Sequence, residues 1–323
     1  MSLGVSIVIS THDRPDSLTS VFDSVLRQTL PPRQIIVVND GGLDVPAELS
    51  DRARAAGIAF RHERLDTASL TASRNRGLAL ADGDVVLLMD DDGALPPDYL
   101  ARLAELYQAD HAGLVAGIGG VMDDPGLRAP AKRLWLALAH LMARGPWSPA
   151  RCAARYVRLP AALAGRLRPA RWLSGGAISL RGQVAATERF EERFCGYALY
   201  EDREFCLRVG RRRALFLAPQ LRVRHAPQPT GRPNTRRHGR MYVAHWLHIV
   251  RRSLGSDAGS WVLLGYDILG AAGLYSAWAA VTLRRKNLLL VLGMFEELAR
   301  QAVGALRRIV FGQASHAGAS ARA

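Results

Sequence analysis

Three carboxylates in a row, Asp90-Asp91-Asp92, follow the apolar run Val85 to Met89 in the stretch DVVLLMDDDGALPPDYL. A run apolar on both faces suits a central strand of a parallel sheet covered by helices, and such sheets bind ligands just beyond their carboxyl ends. Like charges this close repel one another and call for a positive partner. A hard divalent cation such as Mg2+ or Mn2+ takes carboxylate oxygens readily. The alternative is a solvated acidic turn, which Gly93 and the Pro96-Pro97 pair would favour.

The elements that must hold these acids alternate in type. GVSIVIST is an apolar strand ending at Thr11, and in HDRPDSLTSVFDSVLRQTL the residues Leu18, Val21, Phe22, Val25 and Leu26 recur at helical spacing, with Asp16 or Ser17 as cap. QIIVVND predicts the next strand, PAELSDRARAAG a helix, IAFRHE a short strand, and ASLTASRNRGLALADG a helix leading into the strand at 85–89. This alternation means an α/β fold with a doubly wound, mostly parallel sheet. Past the acids, PPDYLARLAELYQA fits a helix with proline in its first turn and GLVAGIGGVM a glycine-rich strand. The pattern loosens from Arg128 to Arg171, where KRLWLALAHLMAR reads as an amphipathic helix with basic ends. RWLSGGAISLRG predicts a turn and a strand, and YEDREFCLRVGRRRALFLAPQLRVRHAP a helix followed by one or two strands.

Charge is divided unevenly along the chain. Residues 1–202 carry 23 Lys+Arg against 24 Asp+Glu, whereas residues 203–323 carry 20 against 5, so the whole net charge of +14 sits in the carboxyl-terminal part. A second basic zone, Arg128 to Arg171, holds ten basic residues and no acidic one. Such blocks favour phosphate-bearing partners: anionic lipid head groups, nucleotides or nucleic acid. No nucleic-acid module and no aromatic platform accompanies them, so no nucleic-acid partner is expected. The three cysteines, Cys152, Cys195 and Cys206, lack metal-ligand spacing and read as free thiols. MSLGVSIVIS lacks the basic region and cleavage site of a signal peptide, which predicts a cytoplasmic location.

The tail stretch WVLLGYDILGAAGLYSAWAAV, residues 261–281, has Asp267 as its only charge and is long enough to span a bilayer. TLRRKN follows as a cytoplasmic flank would, and LLLVLGMFEELARQAVGALRRIVFG reads as a second apolar and amphipathic helix. Asp267 and several glycines weigh against spanning. The expectation is an interfacial or subunit-burying hairpin, with a spanning helix as the alternative.

Four stretches, VSIVISTHDRPDSLTSVFDSVLRQTLPPRQIIVVNDGG, ASRNRGLALADGDVVLLMDDDGALPPDYL, SGGAISLRG and YEDREFCLRV with FLAPQLRVRHA, resemble in order and spacing the family 2 glycosyltransferases, inverting enzymes with the nucleotide-sugar-binding fold called GT-A. The resemblance covers residues 4–226 and implies a GT-A domain over 1–226, with a nucleotide-sugar half (1–125) and an acceptor half (126–226); the charge and hydropathy of the tail predict a helical extension (227–323) that meets a membrane. It implies that Thr11, His12, Asp13 and Asp40 form the nucleotide pocket and that Arg74 contacts the nucleotide. Asp90, Asp91 and Asp92 then contain the D-x-D element, in which Asp92 holds Mn2+ or Mg2+ on the donor diphosphate and Asp90 positions ribose and metal waters. His225 matches a histidine near the metal. Trp172, Gly175, Gly176 and Glu201 match the acceptor side, and Asp202 matches the general base that inversion by direct displacement requires. Amino-terminal capping is the simpler role for Glu201-Asp202, and core packing for Trp172.

The sequence departs from the family pattern at Asn39 and Gly42, where Asp and a hydroxyl residue are common, and at His12-Asp13, where Tyr-Asn is common. The resemblance implies transfer of a sugar from a nucleoside-diphosphate donor to a hydroxyl of a glycan or lipid-linked acceptor at the cytoplasmic face of the membrane. One rival is a sugar nucleotidyltransferase, whose glycine-rich phosphate loop STHDRPDS does not supply. Another is a catalytically silent membrane-associated scaffold, which would have lost the acids. An NAD-dependent oxidoreductase is excluded because no G-x-G-x-x-G follows the first strand.

Overall fold

The computed structural model describes residues 3–123, 130, 133–135, 137–138, 157–225, 235–254 and 257–317, with side chains described as far as residue 307. The amphipathic helix expected at KRLWLALAHLMAR falls largely outside them. The chain divides into two compact units, Met1–Arg133 with Pro149–Arg232, and Leu134–Ser148 with Pro233–Ala323.

The first unit begins with the expected alternation: β1 (Val5–Thr11), α1 (Pro15–Leu26), β2 (Gln34–Asn39), α2 (Glu48–Ala55), β3 (Ala59–Arg64), α3 (Leu70–Leu80) and β4 (Val85–Asp90). There follow β5 (Gly93–Ala94), α4 (Tyr99–Gln108), β6 (Val115–Asp123), β7 (Arg168–Ala170), β8 (Ala177–Arg181), α5 (Gly182–Thr187), α6 (Glu201–Gly210) and β9 (Ala214–His225). Two helix starts differ from expectation. Helix α1 opens at Pro15, one to two residues before the caps read at Asp16 or Ser17, because proline's fixed φ suits the first helical position. Helix α4 starts at Tyr99 after Asp98, so Pro96 and Pro97 lie ahead of the first turn rather than in it.

The strands form one sheet in the order β3-β2-β1-β4-β8-β6-β9-β5, with β7 on β9. Pairings β3-β2-β1-β4 are parallel, while β8 is antiparallel to both β4 and β6. The doubly wound half is therefore the amino-terminal one, and the rest of the sheet is mixed. Period-two alternation sorts the side chains: Val5, Ile7 and Ile9 pack with Leu18, Phe22, Leu100 and Leu103, while Val8, Ile36, Val38 and Leu88 pack on the opposite face with Leu78 and Phe205. Burying each large apolar side chain in these layers contributes roughly 1.5–3 kcal/mol.

The second unit consists of α7 (Thr235–Ile249), which runs on as a wider turn over Val250–Leu254, then α8 (Ala258–Thr282) and α9 (Arg285–Ala317). Helices α7 and α9 cross at glycines: a Cβ on Gly239 would collide with the Leu290 carbonyl, and one on Gly293 with the Arg236 carbonyl. Among the described residues, α8 is the one helix long and apolar enough to cross a membrane. Its Asp267 is buried and accepts a hydrogen bond from the Tyr242 hydroxyl at 2.6 Å. Trp135 lays its ring against Tyr275 and Trp278 of the same helix.

Candidate active site

Register brings the polar strand ends to one level. Thr11 of β1 pairs with Asn39 of β2, and Ser10 with Asp90 of β4, so Thr11, Asn39-Asp40 and Asp90 crown the parallel half. On the other side of β4, Met89 pairs with Ala177, which sets the turn containing Gly175 and Gly176 beside Asp90. The two-residue β5 pairs Gly93 with His225 and so delivers the imidazole from the end of β9 to the acids. His225 Nε2 lies 3.4 Å from Asp92 Oδ1.

The three consecutive acids have three environments. Asp90 is a third exposed and accepts from Arg74 Nη2 at 2.8 Å. Asp91 is buried, accepts from the Thr11 hydroxyl at 2.7 Å and from Arg14 at 2.8 Å, and does not open to the site. Both Asp91 and Thr11, grouped by the resemblance with the nucleotide ligands, thus brace the crest from below. Arg14 also comes within 3.9 Å of Asp92, so one guanidinium ties the second and third acids together. No sequence signal distinguished Arg14, because only the turn from β1 into α1 decides where it points.

Arg74, for which a surface charge was the simpler role, is 1% exposed. It donates to Glu201 Oε1 at 2.6 Å, to Asp90 and to the Gly175 carbonyl, and its guanidinium lies 5.3 Å from the Phe190 ring centroid. A Cβ at Gly175 would press on this guanidinium at 2.7 Å, so the glycine is there to let the backbone approach. Asp202, next to Glu201, accepts from the Gly175 amide at 3.0 Å. Tyr200, just before the pair, has φ of 73°, a left-handed conformation that costs a non-glycine residue about 1–3 kcal/mol and that sites tolerate when it aims a functional group. Trp172 is 42% exposed and faces Arg203, which also stacks on Tyr200, so the core-packing role does not hold.

On the nucleotide side, Asp40 accepts from His12 Nδ1 at 2.9 Å and from the Ser69 amide at 2.6 Å. Asn39 holds the following loop from both ends of its amide, donating to the Leu43 carbonyl at 2.6 Å and accepting from the Gly41 amide at 2.9 Å. An aspartate there could not donate, which gives the departure from the family pattern a structural reason. Asp13, itself left-handed with φ of 54°, accepts from the Leu43 amide. The hollow lined by Thr11, Asp13, Asn39 and Leu43 is about 10 Å³, too small for a base ring.

Burial, and after it the adjacent Asp202 charge, pushes the Glu201 carboxyl up to about 8, with Arg74 opposing. The folded chain therefore holds this proton more tightly than the unfolded one, and stability falls as pH rises from about 4.5 to about 8. Glu201→Gln keeps the acceptor for Arg74 and removes the titration. The melting temperature of the variant minus that of the parent is expected to rise across this window; a difference flat with pH would overturn the assignment.

Among the described residues no three of His, Cys, Asp and Glu gather into a self-sufficient metal cage. Mg2+-type sites use one or two carboxylates and leave the other positions to phosphate oxygens and water. Asp92 and His225, 3.4 Å apart with Asp90 nearby, supply that partial set, and the acids Asp90, Asp91, Asp92, Glu201 and Asp202 outnumber Arg14 and Arg74. The residues fit a divalent cation.

A carboxylate crest at parallel strand ends, answered by an acidic pair at the start of a helix beyond the inserted antiparallel strand β8, is the arrangement of the GT-A fold class. Residues 6–158, a little under half of the chain, match glycosyl transferase family 2, which this stretch resembles. The match includes the three central acids and stops short of Glu201, Asp202 and His225. An uncharacterized glycosyltransferase YwdF of Bacillus subtilis is 33% identical over 40% of this chain and 48% of its own length. The glucosyl-dolichyl phosphate glucuronosyltransferase of Haloferax volcanii is 30% identical over 39% of this chain and 41% of its own. The aligned part of the chain thus spans less than half the length of these relatives. Among solved structures, the mannosyltransferase PcManGT of Pyrobaculum calidifontis, in complex with GDP-Man and Mn2+, superposes with a TM-score of 0.53 at 14% identity, over 92% of this chain and 88% of that one. Glucosyl-3-phosphoglycerate synthase of Mycobacterium tuberculosis, in complex with Mn2+ and UDP, gives 0.50 at 18% identity, over 80% and 82%. Both likenesses establish the fold.

Proposed function

We propose that the chain is a metal-dependent inverting glycosyltransferase that moves a sugar from a nucleoside-diphosphate donor to a hydroxyl of a glycan or lipid-linked acceptor in cell-surface glycoconjugate synthesis. The observation that carries this reading is the Arg74 bridge, in which one buried guanidinium joins Asp90 on the donor side to Glu201, neighbour of Asp202, on the acceptor side. Asp92 and His225, with Asp90, would hold Mn2+ or Mg2+, whose chemistry is to balance charge on the diphosphate. His12, Asp13 and Asp40 receive the nucleotide, and Arg74 fixes the distance between the two carboxylate sides. Trp172 offers its exposed face to the acceptor sugar, and the Gly175-Gly176 turn admits it. Asp202 takes the proton of the attacking hydroxyl on the face opposite the leaving nucleotide.

The extension 227–323 holds the enzyme at the cytoplasmic face of the membrane. Its 13 basic against 4 acidic residues support this, as does the name of the Haloferax volcanii relative, which carries a dolichyl phosphate substrate.

The test is a binding and turnover screen with UDP, GDP and dTDP sugars, with and without Mn2+, on the parent and on Asp92→Ala. One donor is expected to bind with Mn2+ and to lose affinity at least tenfold in the variant or without metal. Absence of binding to every donor under every metal condition would leave the catalytically silent scaffold as the reading.

A further inference from the structure

Arg236, Arg237, Arg240, Glu296, Glu297 and Arg300 line an open cleft of about 720 Å³ in the second unit. Four guanidiniums against two carboxylates leave it positive. The cleft is built rather than incidental. The glycine crossing at Gly239 and Gly293 lets α7 and α9 touch backbone to backbone, which puts Arg236 and Arg240 directly across from Glu296. Glu296 accepts from Nε of Arg236 at 3.0 Å and Nε of Arg240 at 2.8 Å, and Glu297 grips Arg300 through both oxygens at 2.6 and 2.7 Å. A guanidinium has five N–H donors, so these bonds orient the arginine planes and leave donors over for an anion. Helix α7 has no acid in its first turn, and the positive end of its dipole adds to the same potential.

The neighbouring face of α9 is apolar and uncovered. Leu288, Leu292, Phe295, Val303 and Leu306 recur along one side of the helix and are between 45 and 60% exposed. On α8, Val262, Tyr266 and Leu269 are 71, 50 and 65% exposed. A basic rim beside an apolar stripe is the pattern of a helix lying in a bilayer interface, with cations at phosphate level and apolar side chains in the acyl boundary. A free phosphate would use the cleft and give the stripe nothing to do.

We propose that this cleft is a phosphate-binding site through which the second unit docks on an anionic phospholipid surface, the arginines on head-group phosphates and the α9 stripe in the acyl boundary. The proposal rests on the reading of the extension as the membrane-facing part, and it adds the residues and the lipid charge that the reading leaves unspecified.

The experiment is co-sedimentation of the full chain with vesicles of phosphatidylcholine alone and of phosphatidylcholine with phosphatidylglycerol, at low and high salt. The parent is expected to pellet with the anionic vesicles only. Arg237→Gln with Arg300→Gln, both exposed, should lower partitioning roughly 25-fold, at about fivefold per arginine. Leu292→Ser with Phe295→Ser should weaken binding at low and high salt alike, with circular dichroism confirming that every variant folds. Equal binding to both vesicle types, unchanged binding in the arginine variant, or saturable binding of inorganic phosphate by a parent that does not pellet with the anionic vesicles would each overturn the proposal. Mn2+-dependent donor binding, measured without vesicles, is a separate readout: it is expected to be unchanged in the arginine variants, and its absence in the parent would count against the transferase reading while the vesicle result stood.

Discussion

Asp202→Asn is expected to bind the donor as the parent does and to turn over two to four orders of magnitude more slowly, the range over which a positioned general base accelerates proton transfer. The amide is chosen because its oxygen can still accept from the Gly175 amide, the bond that Asp202 makes at 3.0 Å, so the turn beside Asp90 stays in place. What the amide cannot do is take a proton from the attacking hydroxyl. The pattern to be measured is therefore a fall in kcat with donor Kd within about twofold, since the lost interaction belongs to the transition state. If the variant retains more than a tenth of parental turnover, Asp202 is a capping residue of α6 and the base lies elsewhere. If donor binding falls as well, the Gly175 turn has moved and the variant reports on structure instead.

The second large effect concerns Arg74. Its replacement by alanine strips the counter-charge from Asp90 and the hydrogen-bond donor from Glu201 at once, and opens a cavity against Phe190. Removing one partner of a buried ion pair costs about 3–5 kcal/mol because the other charge stays behind in a poor solvent. For a domain of this size that is a fall in melting temperature on the order of 10 °C. Arg74→Lys separates charge from geometry: an ammonium keeps the charge but cannot reach Glu201, Asp90 and the Gly175 carbonyl in the plane that a guanidinium spans. The lysine variant is expected to recover part of the stability and little of the turnover. Full recovery of both would mean that Arg74 supplies charge alone, and the bridge would not be what aligns the donor and acceptor sides.

The Glu201→Gln comparison bears on the same bridge from the other end. A carboxyl held up to about 8 leaves Glu201 uncharged beside Asp202 at neutral pH. Above that pH Glu201 ionises, and its charge adds to the repulsion of any anionic group that approaches.

Much of this protein is legible in the order of its residues. The strands at β1, β2 and β4 are apolar on both faces, as strands of a sheet covered on both sides by helices are. Because parallel strands all end on one edge, the polar residues that follow them, Thr11 to Asp13, Asp40 and Asp90 to Asp92, had to share that edge. The acidic pair Glu201-Asp202 was legible as the start of a helix, though whether it faced solvent or the site was not.

Tertiary structure decided the rest, for reasons that lie in pairing and burial. The antiparallel insertion of β8 between β4 and β6 depends on long-range register, which no local pattern encodes, yet it is what carries Gly175 to Arg74 and Asp202. The two-residue β5 is too short to leave a periodic signal, and it alone sets His225 beside Asp92. Asp90, Asp91 and Asp92 are chemically identical in the chain. Successive side chains at a strand end point in different directions, and so Asp91 turns down to Thr11 and Arg14 while its neighbours meet Arg74 and His225. In the tail the sequence determined charge and hydropathy, but Gly239 and Gly293 stand far apart in the chain and became a pair only when two helices crossed at them.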